Sequence, residues 1–79
     1  PKTTYILQVR SFENPDEADQ KRAEVMMVGV DAKVVKRDIN GTTLYQVVST
    51  PLASKDELMM AYDRLQMSGI DAVVLEQTH

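Results

Sequence analysis

Met27-Val28-Gly29-Val30-Asp31-Ala32-Lys33-Val34 returns forty residues later as Met67-Ser68-Gly69-Ile70-Asp71-Ala72-Val73-Val74, with no gap needed to align the two stretches. Outward from them the same offset matches Tyr5 with Tyr45 and Asp16-Glu17 with Asp56-Glu57, and pairs Leu7 with Val47 and Val25 with Leu65 conservatively. Self-similarity at a fixed period means one supersecondary unit used twice. In both copies a glycine, Gly29 or Gly69, stands where a helix closes, and a β-branched run follows, Val34-Val35 or Val73-Val74.

Upstream of each glycine the unit is a strand and a helix. Tyr5, Leu7 and Val9 alternate with Ile6, Gln8 and Arg10 at the period of two that a strand requires, which predicts strand one over residues 4–10. Asn14-Pro15-Asp16-Glu17 supplies an N-cap and a proline at the first helical position, and Ser54-Lys55-Asp56-Glu57 supplies a capping box. Leu58, Ala61, Tyr62 and Leu65 make an apolar stripe on helix two. Lys21 and Arg22 take the positions matching Ala61 and Tyr62, so their stems are expected to lie over the core. The five methionines, Met26, Met27, Met59, Met60 and Met67, fall in the helices and are expected to fill it. Asn40-Gly41 is a type I′ hairpin signal between strands two and three. The order is β-α-β-β-α-β. Right-handed crossovers then give an α+β, ferredoxin-like split βαβ: a four-stranded antiparallel sheet with two helices on one face.

Seventy-nine residues, 43% apolar and 27% charged, make a single domain over 1–79 with its core over about 4–76. The longest apolar run, Val25 to Val28, is far too short to span a bilayer, and no direct membrane insertion is expected. A start at Pro1 without an initiator Met suggests a piece of a longer protein. Nine basic and twelve acidic residues, for a net charge of −3, argue against nucleic acid as a partner. The excess of acid lies on the stretch Glu13 to Glu24. Catalysis is not expected, because the single histidine is the terminal His79, there is no cysteine, and no nucleophile–base pair can be assembled. No metal site or cofactor is expected either: Asp16, Glu17 and Asp19 lack the glycine and the partners of a calcium loop.

A sheet covered on one side leaves its other face open. If Tyr5, Leu7, Val9, Tyr45 and Val47 point at the helices, then Ile6, Gln8, Arg10, Leu44, Gln46 and Val48 point away. On the last strand, turning Val73 and Leu75 inward leaves Val74 outward. Such a face is apolar and amide-rich with one charge, Arg10. An RNA-recognition module shares the topology, yet the outward residues of strand three offer no stacking aromatics.

Tyr5-Ile6-Leu7-Gln8-Val9-Arg10-Ser11-Phe12, Asn14-x-x-Glu17-Ala18, Val28-Gly29-Val30-Asp31-Ala32, Tyr45-Gln46-Val47 through Pro51, and Leu65-x-x-Ser68-Gly69-Ile70-Asp71-Ala72 strongly resemble the SPOR domain, a bacterial peptidoglycan-binding module of cell-division and envelope proteins. The resemblance runs from about Tyr5 to Leu75. It implies non-catalytic binding of glycan strands lacking stem peptides at division septa, in a periplasmic or cell-envelope setting. It also implies a membrane-anchored parent protein that this domain tethers to peptidoglycan and through which division-protein partners would act. Carried over by position, the binding surface is Gln8 and Ser11 on strand one, Leu44 and Gln46 on strand three and Val74 on strand four, with Ile6 and Arg10 beside them. Four departures from the family pattern stand out: Arg10 and Thr50 for glycines, Gln46 for arginine and Leu52 for phenylalanine. Arg10 for glycine and Gln46 for arginine would be one compensated change if Arg10 supplies the cation that strand three has lost. The competing class is a protein-interaction module on the same fold, with glycan binding lost or altered. Lys33, Lys36 and Arg37 on strand two are read as edge protection.

Overall fold

The computed structural model describes residues 2–79. Its elements are β1 (Thr3–Phe12), α1 (Pro15–Met27), β2 (Ala32–Ile39), β3 (Thr42–Ser49), α2 (Lys55–Met67) and β4 (Val73–Thr78), in the order the repeat implies. The four strands form one sheet in the order β2-β3-β1-β4, with every neighbouring pair antiparallel.

The local signals act as their chemistry requires. Asn14 Oδ1 accepts the Asp16 amide at 2.8 Å at the start of α1. At α2, Ser54 Oγ accepts the Glu57 amide at 3.2 Å while Glu57 Oε2 reaches back to the Ala53 amide at 2.8 Å. Asn40 and Gly41, at φ 51° and 82°, make the tight link between β2 and β3, where both central residues of a type I′ turn need positive φ.

Leu7, Val25, Val30, Val47, Leu65 and Ile70 share one buried cluster with Ala18 and Ala61. Six of these are three repeat-related pairs, Leu7 with Val47, Val25 with Leu65 and Val30 with Ile70, so the two halves contribute equivalent side chains to a common core. Lys21 and Arg22 are half-buried, with their charged ends held by Glu24 at 3.0 Å and Asp19 at 2.8 Å. Secondary-structure layers stack about 10 Å apart. The shortest extent of the molecule, 15 Å, therefore accommodates two layers and not three, and the second face of the sheet is bare.

Three expectations are corrected here. The methionines do not fill the core: all five are exposed, from 44% at Met26 to 89% at Met67. Each helix meets the sheet along a narrow stripe that Ala18 and Val25, or Ala61 and Leu65, already occupy, and the methionines lie off it. On β4 the inward and outward residues are exchanged. Val74 pairs with Leu7 and so shares the helix side, while Val73 pairs with Gln8 and Leu75 with Ile6 on the open side. An apolar run on both faces carries no parity of its own, and the pairing with β1 decides it.

The third correction concerns Arg10. The β1–β3 register passes from Gln8↔Val48 to Arg10↔Val47, so Val9 is an extra residue, a β-bulge. Such a bulge sets two residues against one and resets the alternation. Arg10 thereby lies opposite buried Val47 on the helix side, its guanidinium carbon 5.2 Å from the centroid of the Phe12 ring. It does not stand on the open face beside Gln46.

Candidate functional site

Register determines which side chains the open face carries. Past the bulge, Ser11 comes opposite Gln46, and Phe12 comes opposite Tyr45, both of these aromatics packing on the core side. Before it, Gln8 lies opposite Val48 on β3 and Val73 on β4, and Ile6 lies opposite Leu75. Leu44 and Gln46 share a face with Val48 because they are four and two residues from it along β3. Of the residues the sequence singled out, Ile6, Gln8, Ser11, Leu44 and Gln46 are thus brought together on one surface, and Arg10 and Val74 are not.

Gln46 is at the middle of this surface, with Ser11 on one side and Val35 of β2 on the other. Its Oε1 is buried and has no hydrogen-bond partner among the described residues. The Gln46 residue as a whole is half-buried, so its amide lies at the level of the sheet surface. Around it Ile6 and Leu44 provide half-buried apolar surface, with Val48 of the same face buried beneath the neighbouring side chains.

The sequence reading missed the contribution of β2. Lys33 pairs with Val48 and Arg37 with Leu44, which sets both cations on the open face, whereas Lys36 pairs with Tyr45 on the helix side. The signal was available: Ala32 and Val34 pack on the core, so residues 33, 35 and 37 must face away. None of the open-face positions paired in the register from Thr4 to Ser11, Lys33 to Arg37, Leu44 to Val48 and Val73 to Gln77 is an acid or an aromatic. The ion pairs among the described residues, Lys21–Glu24 and Arg22–Asp19, both lie on α1.

Two hollows lie on the helix side. A cleft of about 330 Å³ is lined by Asp31, Pro51, Glu57 and Arg64, where Arg64 Nη1 donates to the Gly29 carbonyl at 3.1 Å. An apolar groove of about 520 Å³ runs between α2 and β4 and takes in Leu58, Tyr62 and Val74. Among the described residues no three His, Cys, Asp or Glu side chains converge as a metal site, and no helix is long and apolar enough to cross a membrane.

The SPOR domain family model matches residues 1–76. Among solved structures, the SPOR domain of RlpA from Pseudomonas aeruginosa superposes with a TM-score of 0.81 at 24% identity, covering 91% of this chain and 96% of that one. The peptidoglycan binding domain of the Bacillus subtilis cell wall lytic enzyme CwlC superposes at 0.79 with 26% identity, covering 99% and 94%. The C-terminal RNP domain of the divisome protein FtsN gives 0.63 at 26%, covering 96% and 95%. No curated protein sequence matches the chain.

Proposed function

From the chain's membership of the SPOR domain family and the chemistry of its open face, we propose that it binds peptidoglycan glycan strands without catalysis, favours strands that lack stem peptides, and tethers a larger envelope or division protein outside the cytoplasm. The observation that carries this reading is the amide- and hydroxyl-bearing centre of the bare sheet: Gln8, Ser11 and Gln46 beside Ile6 and Leu44. Sugars present hydroxyls and N-acetyl groups on weakly apolar ring faces. Amides and hydroxyls on an apolar shelf match both features, and amides can donate and accept at once. A flat sheet has room for a bare strand, and the two hollows described above lie on the helix side, away from it. The likeness to the CwlC domain, which binds peptidoglycan, supports the same ligand class, and the likeness to the FtsN domain supports a place among division proteins.

Co-sedimentation tests it. The domain is expected to pellet with sacculi treated with an amidase that removes stem peptides, and little or not at all with sacculi that keep them. Equal pelleting with both, or with neither, overturns the proposal.

A further inference from the structure

We propose that Lys33 and Arg37 form an anion-binding subsite along the β2 edge of the open face, which takes the lactyl carboxylates of muramic acid residues in one glycan strand. The subsite rests on the glycan reading above and specifies the charge chemistry of the same surface. While a stem peptide is attached, each lactyl carboxyl is tied up in an amide. Removing the peptide frees an anion on every muramic acid, so a stripped strand is a regularly charged polymer.

Several observations converge on this pair. Lys33 and Arg37 are four residues apart on one face of a strand, about 13 Å at 3.3 Å per residue, with Val35 between them as a neutral spacer. Neither cation enters an ion pair among the described residues. The paired open-face positions carry no acid that would compete for them. The chain as a whole has a net charge of −3, so an anionic polymer gains nothing from its overall field and needs a local cationic site to approach. The acids of α1 lie in the helix layer, with the sheet between them and this face. Edge protection alone does not explain the arrangement. It asks only for charge along an outer strand, whereas here the helix side of β2 mixes Lys36 with Asp38 and the open side keeps two cations unopposed. Arg37 offers a planar fork suited to a carboxylate and Lys33 a point charge.

The experiment measures binding to amidase-treated sacculi at low and physiological salt for wild type, Lys33→Ala, Arg37→Ala, the double variant and Lys36→Ala. Lys36→Ala makes the same change in net charge from the other face of the same strand. Each open-face variant is expected to weaken binding about 2–5-fold and the double variant about 5–20-fold, from ion pairs worth up to ~1 kcal/mol each. Lys36→Ala is expected to bind as wild type does. Salt should weaken wild type more than the double variant, and converting the glycan carboxyls to amides should bring wild type down to the level of the double variant. If the double variant binds as wild type, or if Lys36→Ala loses as much as either open-face variant, the subsite is overturned while the glycan reading stands. If wild type fails to pellet with stripped sacculi at either salt, both fall together.

Discussion

Ser49 is 1% exposed and is the buried polar side chain of the core. Its role follows from where β1 runs out of backbone partners. Tyr5 and Leu7 both aim their amides toward the β3 side: the Leu52 carbonyl takes the first at 2.9 Å, and the Ser49 hydroxyl takes the second at 2.8 Å. Ser49→Ala removes that acceptor and leaves the Leu7 N–H buried beside a side chain that is itself 0% exposed. An unpaired buried donor costs about 1–3 kcal/mol. A 79-residue domain at roughly 0.05–0.15 kcal/mol per residue holds about 4–12 kcal/mol in all, so the variant should fold but with a large share of its stability gone. For domains of this size 1 kcal/mol moves the melting midpoint about 4–8 °C, and a ~2 kcal/mol loss should lower it by about 8–16 °C. Urea and thermal unfolding followed by circular dichroism would measure this, with the urea m-value unchanged because the buried area hardly changes. A midpoint within about 2 °C of wild type, less than ~0.5 kcal/mol on that scale, would refute the assignment of the hydroxyl as the partner of Leu7.

Gly29→Ala should cost more than Gly69→Ala. Both sites have positive φ, 94° and 73°, but a Cβ at Gly29 would come 2.8 Å from Arg64 Nη1 while Gly69 faces open space. Strain of about 1–2 kcal/mol is common to both. The Arg64 guanidinium is the free end of an exposed side chain and can swing away, so the extra cost is the exposed bond to the Gly29 carbonyl, roughly 0.5 kcal/mol, and a higher urea midpoint for Gly29→Ala than for Gly69→Ala would refute the close approach. Gln8→Ala should weaken binding to stripped sacculi by about 0.5–1.5 kcal/mol, roughly 2–10-fold, without moving the melting midpoint; a shifted midpoint would show that the side chain supports the fold. Arg10→Ala should leave that binding unchanged and lower stability by about 0.5–1 kcal/mol through the lost contact with the Phe12 ring. A several-fold loss of pelleting would return the guanidinium to the open face and contradict the bulge.

The fold was legible because its determinants are local and duplicated. Caps at Asn14 and Ser54, the positive-φ turn at Asn40-Gly41 and the core pairs forty residues apart each repeat or reinforce the same unit. The open face was legible wherever a strand alternates cleanly, as at Ile6, Gln8, Leu44 and Gln46. It failed at Val73-Val74-Leu75, which is apolar on both faces and takes its parity from pairing with β1. It also failed for the methionines, since helical position alone does not tell how narrow a strip of helix a two-layer fold covers.

The Arg10 error has a different cause, one that can be read from spacing. Leu7 and Phe12 both pack toward the core and are five residues apart, an odd interval, and strict alternation cannot turn both to the same face. Leaving Phe12 outward would forgo a part of the roughly 1.5–3 kcal/mol that full burial of such a ring is worth, since Phe12 is half-buried on the core side, so the strand breaks its parity between them. The second half faces the same conflict between Val47 and Leu52, both also core-facing. There the strand ends at Ser49 and the chain turns through Pro51, so that Leu52 comes back to pair with Tyr5. In the first half β1 runs on to Phe12 and the bulge at Val9 resolves the conflict instead. The reset that buries Phe12 also turns Ser11 outward, opposite Gln46, and withdraws Arg10. The hydroxyl beside Gln46 in the candidate site and the absence of a β1 cation next to it therefore have a single origin, the pull of one aromatic ring toward the core.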